Sequence, residues 1–200
     1  MHSFKLAPLA DLIENLAEDR VNSILSSYSC PINAEIEDFL HNKAVDFSNA
    51  SIARTYLLFT ESNMALAGFF TIAPKSFILR NISQLSKTLA RKLNKFSEHN
   101  EELSIQILNV FLVAQLGKNF TPECSKLITG AQLLNIAINR IAQIQRELGG
   151  KIVCVECEDK IKLVSFYEAN GFVVIQKRKN PQAAYSINQS DYLVQLAKYL

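Results

Sequence analysis

The sequence predicts a single mixed α/β domain, a sheet with helices against both faces. Three observations predict it. The second half of the chain alternates strand, helix, strand, helix, strand, strand, and the first half supplies an amphipathic helix followed by a hairpin. The 200 residues are 48 % hydrophobic and 20 % charged, with a formal net charge of +2. A chain of that length buries roughly 70 % of its unfolded surface without staples. The composition also excludes disordered, collagen-like and coiled-coil classes.

The elements follow from residue spacing. Met1 to Ser27, with Leu12, Ile13 and Leu16 at helical spacing, is expected to be a helical extension (1–27) that serves packing or dimerisation, ahead of a domain spanning 28–200. Asn33 to Phe47 reads as a helix: Asn33 is a candidate N-cap, and Ile36, Phe39, Leu40 and Ala44 recur on one face. Arg54–Thr60 and Ala65–Ala73 are β-branched and aromatic and flank the turn Glu61-Ser62-Asn63, so they read as an antiparallel hairpin that Pro74 ends. Ser83 to Phe96 reads as a helix, with Ile82, Leu85, Leu89, Leu93 and Phe96 on one face and Lys87, Arg91 and Lys95 along another. Ser97 to Glu102 is polar and reads as exposed. Ile105 to Ala114 is a long apolar strand, and Lys118 to Ser125 a loop.

Gly130 to Leu148 keeps the helical period through Leu133, Leu134, Ala137, Ile138, Ile141, Ile144 and Leu148, until Gly149-Gly150 stops it. A strand over Ile152–Cys157, a helix reaching Asn170-Gly171, a strand over Phe172–Gln176 and a last strand near Tyr192–Leu196 complete the pattern. Lys177-Arg178-Lys179 is a basic run expected in a loop.

Four cysteines are too few for a disulfide scaffold. Cys154 and Cys157 form a C-x-x-C, but on a strand residues three apart face opposite sides, so packing is the expected role and no metal site is expected. No apolar run approaches the ~20 residues of a membrane span. No secretory leader is expected either, and the expected location is cytoplasmic.

Two segments carry chemistry. The first is a buried strand ending in Ala114-Gln115-Leu116-Gly117, a loop, and a helix opening near Thr129-Gly130. Unpaired amides at a helix start carry partial positive charge and suit a pyrophosphate. The second is Ser165-Phe166-Tyr167-Glu168-Ala169-Asn170-Gly171-Phe172, where a phenol on the last helical turn could protonate a leaving thiolate or simply close the helix.

Together the two segments resemble the GNAT superfamily of N-acetyltransferases, most closely the branch that contains acetyltransferase toxins of toxin–antitoxin pairs. The resemblance covers roughly Tyr28 to Leu196. It rests on Tyr28-Ser29-Cys30, Ile36-Glu37-Asp38-Phe39-Leu40, Thr55–Phe59, Ala67–Ala73, Val113-Ala114-Gln115-Leu116-Gly117 and Phe166-Tyr167-x-x-x-Gly171-Phe172. It implies a mixed, mostly antiparallel twisted sheet with helices on both faces and a central splayed strand pair.

What the resemblance implies can be placed residue by residue. Leu116, Gly117 and Lys118 would pair with the pantetheine arm of acetyl-CoA. The amides from Ser125 through Ala131, including those of Lys126, Ile128, Thr129 and Gly130, would cradle its pyrophosphate. The family pattern there is Gln/Arg-x-x-Gly-x-Gly/Ala, and Ser125, Ile128 and Gly130 fall on its three defined positions. Only the last is kept. Ile128 takes up φ > 0 less readily than glycine, so the loop must form with ordinary dihedrals or lose a donor. The Thr129 hydroxyl and the Lys126 charge are candidates to compensate. Family members pass the acetyl group directly from the thioester to an amine. The amides of Leu116 and Gly117 would stabilise the oxyanion, Tyr167 would protonate the thiolate, and Glu156 is a candidate base.

Between Ser62 and Ser97 the chain has six Lys and Arg and no Asp or Glu, so that segment carries +6 and the remainder −4. Lys87, Arg91, Lys92 and Lys95 are thus candidate substrate contacts, because a basic stripe suits phosphates. It fits an aminoacyl-tRNA acceptor, the CoA 3′-phosphate, or a merely solvated face. The partners implied are acetyl-CoA, an amine acceptor (aminoacyl-tRNA or a small molecule), an antitoxin protein and a second copy of the chain, with no membrane and no metal. The alternative is a GNAT-fold CoA-binding or interaction module without catalysis.

Overall fold

The computed structural model describes residues 3–80, 85–103, 105–181 and 190–200. Among the described residues there are eight strands and seven helices, a mixed α/β chain as the sequence predicts, and the strand order is β1-β2-β3-β5-β6-β8-β7 with β4 on β5. The chain divides into two compact units, Met1–Ala73 with Val113–Asn139, and Pro74–Leu112 with Arg140–Leu200.

In the first unit β1 (Phe4–Pro8) lies antiparallel to β2 (Arg54–Thr60), with Phe4 opposite Thr60 and Pro8 opposite Tyr56. The start of β3 (Leu66–Leu79) pairs antiparallel on the other side of β2, from Arg54 opposite Ile72 to Leu58 opposite Gly68. Helices α1 (Leu9–Asn15), α2 (Glu18–Ser26), α3 (Ala34–Asn42) and α4 (Ala44–Asn49) contribute to one core with the sheet. Leu9, Val21, Leu25, Tyr28, Phe39, Leu40, Leu57 and Phe69 form that core. The end of β5 (Ile105–Lys118) and the start of α6 (Gly130–Leu148) complete the unit.

The second unit holds the end of β3, α5 (Lys87–Asn94), β4 (Ser97–Asn100), the start of β5, β6 (Ile152–Glu158), α7 (Ile161–Ala169), β7 (Val173–Lys179) and β8 (Tyr192–Tyr199). Strand β8 is antiparallel to both β6 and β7, with Ala197 opposite Cys154 and Val173. Phe77, Leu79, Leu93, Leu108, Ile152, Cys154 and Ile175 make this unit's core.

Several elements depart from the sequence reading. Residues 1–27 are not all helix, because β1 opens them: the alternation in Phe4-Lys5-Leu6-Ala7 is a strand signal that the helical spacing further on obscures. The helix expected over Asn33–Phe47 is two helices that share Lys43. Its amide donates to Phe39 and its carbonyl accepts from Phe47, while its φ/ψ of −128°/−26° turns the axis. Asn33 is the N-cap, accepting from the Glu35 and Ile36 amides at 3.1 and 3.3 Å.

Pro74 does not end β3. The β2 pairing stops at Ile72, so beyond it the missing proline N–H removes no bond to β2. The polar run Ser97-Glu98-His99-Asn100 is a strand, held antiparallel on β5 by tertiary pairing rather than by propensity. Helix α5 is shorter than expected and is capped by the Ser86 hydroxyl, which accepts from the Leu89 amide at 3.3 Å; Ile82 and Ser83 lie outside the described residues. The basic run Lys177–Lys179 sits on β7, not in a loop. Cys154 and Cys157 are both buried, free thiols. Among the described residues no group could hold a metal ion, and no helix is long and apolar enough to cross a membrane.

Candidate active site

The end of β5 approaches β3 more closely than side chains would permit. A β-carbon on Gly68 would stand 2.9 Å from the Gly117 carbonyl oxygen and 3.1 Å from the Lys118 α-carbon. A β-carbon on Gly117 would stand 2.2 Å from the Tyr28 hydroxyl, 2.8 Å from Ile36 Cγ2 and 3.2 Å from Phe69 Cε1. Two glycines thus let backbone meet backbone on one side and an aromatic ring meet backbone on the other. Gly117 is buried, and Leu116 and Lys118 are half-buried.

Asn119 fixes this strand end. It is 1 % exposed, and every polar atom of its side chain is used. Its Oδ1 accepts from the amides of Ser29 (3.1 Å) and Thr121 (3.0 Å), and its Nδ2 donates to the carbonyls of Ser27 (3.0 Å) and Leu66 (2.8 Å). One buried amide therefore ties the α2–α3 connection, β3 and the loop after β5 together.

The loop from Lys118 to Thr129 leaves amides free in a regular pattern. The Ser125 amide is taken by the Thr121 carbonyl and the Leu127 amide by the Cys124 carbonyl. Thr129 and Gln132 form a capping box: the Gln132 amide donates to Thr129 Oγ1 (3.2 Å) and the Thr129 amide to Gln132 Oε1 (2.9 Å). The amides of Lys126, Ile128, Gly130 and Ala131 have no acceptor among the described residues. Lys118 turns its ammonium into the same loop, donating to the Ser125 carbonyl at 2.7 Å and lying 4.8 Å from the centre of the Phe120 ring. Lys126 is exposed.

The Ile128 side chain is buried at 2 % exposure, so only its main chain could face a ligand. Outside Gly149, Gly150 and Gly171, the only described residues with positive φ are Ser51 and Met64, so the loop forms with ordinary dihedrals without the absent glycine. The T-x-x-Q of the capping box was readable in the sequence and was missed. Only the Asn119 bond to the Thr121 amide two residues on is local, an ordinary turn contact for a loop asparagine; its other three partners come from two distant segments, Ser27–Ser29 and Leu66, and leave no sign in the sequence.

Tyr167 and Glu156 lie in the second unit. Tyr167 is on α7, an apolar helix with no fully buried residue and with Ile161 left 85 % exposed. Its ring meets Phe166 and Phe172 edge to face, with centroids 5.0 and 5.8 Å away. Burial, and then the neighbouring Cys157, raise the phenol pKa well above its ordinary value, so it remains a proton donor. Burial, with Asp159 and other acids nearby, pushes the Cys157 thiol up to about 11.

Glu156 on β6 is engaged. Arg178 donates through both Nε (2.7 Å) and Nη2 (2.5 Å), and Gln195 donates at 2.6 Å. Burial works to raise its pKa, but these donors outweigh burial and hold the carboxyl below its usual range. A carboxylate so held is a weak base.

Lys87, Arg91, Lys92 and Lys95 are all exposed, and none forms an ion pair with a described residue. Lys92 reaches over the Tyr199 ring at 4.9 Å. The charge asymmetry of the sequence follows the two units: the first has 6 Lys and Arg against 10 Asp and Glu, the second 15 against 9.

No protein-family model matches the chain, and no curated protein matches it. Solved structures do. It resembles AtaT complexed with acetyl-methionyl-tRNAfMet, with 17 % identity over 96 % of this chain and 94 % of that one, and a TM-score of 0.63. It resembles a tyrosine-to-phenylalanine variant of the AtaT toxin bound to the C-terminus of the antitoxin AtaR and acetyl-CoA, at 16 % identity over 98 % and 93 %, with a TM-score of 0.58. A Bacillus subtilis acetyltransferase in complex with CoA matches at 12 % identity over 100 % and 99 %, with a TM-score of 0.51. The chain has the fold of the GNAT acetyltransferases, as the resemblance in its sequence implied.

Proposed function

We propose that the chain is an acetyl-CoA-dependent N-acetyltransferase that acetylates a primary amine. The observation that carries this reading is the loop between β5 and α6. Four free amides, at Lys126, Ile128, Gly130 and Ala131, share it with the Lys118 ammonium, at the start of a 19-residue helix. That donor set suits a diphosphate. The solved structures of this fold described with acetyl-CoA or CoA agree with the reading.

The chemistry follows from the groups available. The lone pair of a neutral amine attacks the thioester carbonyl carbon, a C–N bond forms, and the carbonyl π pair moves onto oxygen. The amides of Leu116 and Gly117 receive that charge. As the pair returns, the C–S bond breaks, Tyr167 gives its proton to the sulfur, and the phenolate regains a proton from solvent before the next turnover. Glu156 is committed to Arg178 and Gln195, so the amine loses its proton to solvent, which suits an acceptor whose amine pKa is already low.

The α-amine of an aminoacyl-tRNA is such an acceptor. Lys87, Arg91 and Lys92 on α5 and Lys95 at its C-cap, which form no ion pair with a described residue, are the groups that would hold its phosphates. A protein antitoxin is the partner that accompanies this reading, as one is bound in the AtaT–AtaR structure. Calorimetry with acetyl-CoA, followed by thiol release in the presence of charged tRNA, tests the proposal. Binding with release that Tyr167→Phe lowers by orders of magnitude is the expected result. Binding without turnover on any amine would favour the inert module, and no binding would overturn both readings.

A further inference from the structure

Helix α7 is secured mainly at its C-terminus. Its N-cap, Lys160, makes no side-chain capping bond, none of its residues is fully buried, and its last turn carries no basic residue. At the other end the Gly171 amide donates to the Glu168 carbonyl at 2.9 Å, and the Phe172 amide to the Tyr167 carbonyl at 3.1 Å. Gly171 has a φ of +83°, the left-handed conformation that glycine adopts without steric cost. These bonds make a Schellman motif, which brings the third residue from the helix end against the second residue beyond its cap. Those two residues are Tyr167 and Phe172, with ring centroids 5.8 Å apart and Phe172 buried at 2 % exposure. The Phe-Tyr-x-x-x-Gly-Phe spacing thus places the Tyr167 ring through the helix stop itself.

The Asn170 carbonyl lies outside both motif bonds, and a residue from another strand takes it. Lys198 Nζ donates to it at 2.8 Å. Lys198 sits on β8 opposite Val153 of β6, is half-buried, and forms no ion pair with a described residue. Its ammonium lies 5.8 Å from the centre of the Phe172 ring, and a β-carbon on Gly171 would stand 3.4 Å from it. One cation therefore meets the cap residue, the glycine turn and the ring on which Tyr167 packs. Positive charge is favourable at a helix C-terminus, and β8 supplies what the last turn of α7 lacks. All of these residues belong to the second unit.

We infer that Lys198 is a positioning residue for Tyr167, clamping the C-terminal turn of α7 so that the phenol keeps one orientation. The inference rests on the reading of Tyr167 as the group that protonates the leaving thiolate. Lys198 exchanges no proton and touches no reacting atom. It acts through the Asn170 carbonyl and the Phe172 ring. A proton donor must stand within hydrogen-bond reach of the atom it protonates. A helix without a fully buried residue does not hold its side chains to that tolerance by packing alone, so the clamp at its end sets the geometry.

The test reads the ring and the rate separately. The protein is labelled with carbon-13 in its tyrosine rings, and the Tyr167 signal is identified among the six tyrosines by its loss in Tyr167→Phe. Lys198→Met keeps an apolar stem and removes the donor and the charge, whereas Lys198→Arg keeps both. The Phe166 and Phe172 rings should shift the Tyr167 ring protons in the unaltered protein. Lys198→Met should move that signal toward the values of a solvated tyrosine, and Lys198→Arg should return it. In thiol release from acetyl-CoA with charged tRNA, Lys198→Met should lower kcat by about 10- to 100-fold with KM for acetyl-CoA unchanged. The same substitution in Tyr167→Phe should cost nothing further. An equal loss in both backgrounds makes Lys198 merely structural and overturns the inference. An unmoved Tyr167 signal also overturns it, and both results leave the acetyl-transfer reading intact. If the unaltered protein releases no thiol, the reading fails and the inference falls with it.

Discussion

The hydroxyl oxygen of Tyr28 lies 2.2 Å from the point where a β-carbon on Gly117 would stand. No real pair of atoms tolerates that approach, and Ile36 Cγ2 crowds the same point at 2.8 Å. Gly117→Ala should therefore destabilise the fold by about 1–3 kcal/mol through overpacking. Tyr28→Phe removes the nearest atom, so the double variant should recover part of that loss. A double-mutant cycle in urea measures the coupling. Strictly additive effects would mean that the two residues do not meet.

Asn119 should prove costly to replace. Asn119→Ala removes four hydrogen bonds at once and leaves the Ser29 and Thr121 amides and the Ser27 and Leu66 carbonyls to find other partners. A loss of about 3 kcal/mol or more is expected. Asn119→Asp keeps the two acceptor bonds but turns an oxygen toward the two carbonyls. Burial would raise that new carboxyl's pKa, so its destabilisation should be largest at neutral pH and should ease in acid as the group protonates. Denaturant midpoints at pH 5 and pH 7.5 check both statements, and equal midpoints for Asn119→Ala and the unaltered protein would remove Asn119 from this role.

These two residues show how far the sequence could be read. Periodicity located α6 from Gly130 to Leu148 without error, because a 19-residue amphipathic helix repeats its own evidence five times over. The Phe166-Tyr167 to Gly171-Phe172 spacing likewise marked α7 and its exit. Asn119 was illegible: an asparagine in a loop looks solvated until two remote segments, Ser27–Ser29 and Leu66, close around it. Strand β4 was illegible for a related reason, since Ser97-Glu98-His99-Asn100 has no strand propensity and takes its conformation from β5. The break at Lys43 escaped because the i to i+4 pattern continues on both sides of it. Tyr28 was read only as part of a resemblance, and its closeness to Gly117 exists only in three dimensions.

Tyr167→Phe should lower thiol release by about 10²- to 10⁴-fold, the range of a positioned general acid, with little change in acetyl-CoA affinity. The pH dependence carries a sign. Burial, and then Cys157, raise the phenol pKa above its ordinary value, so the protonated, competent form persists past pH 10. The rate in the unaltered protein should rise with pH as the acceptor amine deprotonates, and it should not fall again between pH 8 and 10. A descending limb in that window, absent from Tyr167→Phe, would mean that the phenol titrates normally and is not held as described. The same shift predicts that stability contributed by the neutral phenol is fully present below about pH 10 and is lost only as pH rises through the elevated value.

The α5 cations separate a nucleic-acid acceptor from a small one. Lys87, Arg91, Lys92 and Lys95 are exposed and have no acidic partner among the described residues. If they hold the phosphates of an aminoacyl-tRNA, each one replaced by glutamine should weaken tRNA binding across all sequences. Each should also reduce the slope of log affinity against log salt by about 1. Affinity for acetyl-CoA should stay the same if its diphosphate is held, as proposed, by Lys118 and the free amides at the start of α6. Filter binding of charged tRNA between 50 and 200 mM salt, with Arg91→Gln and the quadruple variant beside the unaltered protein, gives both slopes. Four replacements that leave the tRNA slope untouched would make the stripe a solvated face. Four that weaken acetyl-CoA instead would assign it to the 3′-phosphate of the cosubstrate, and the acceptor would then be sought among small amines.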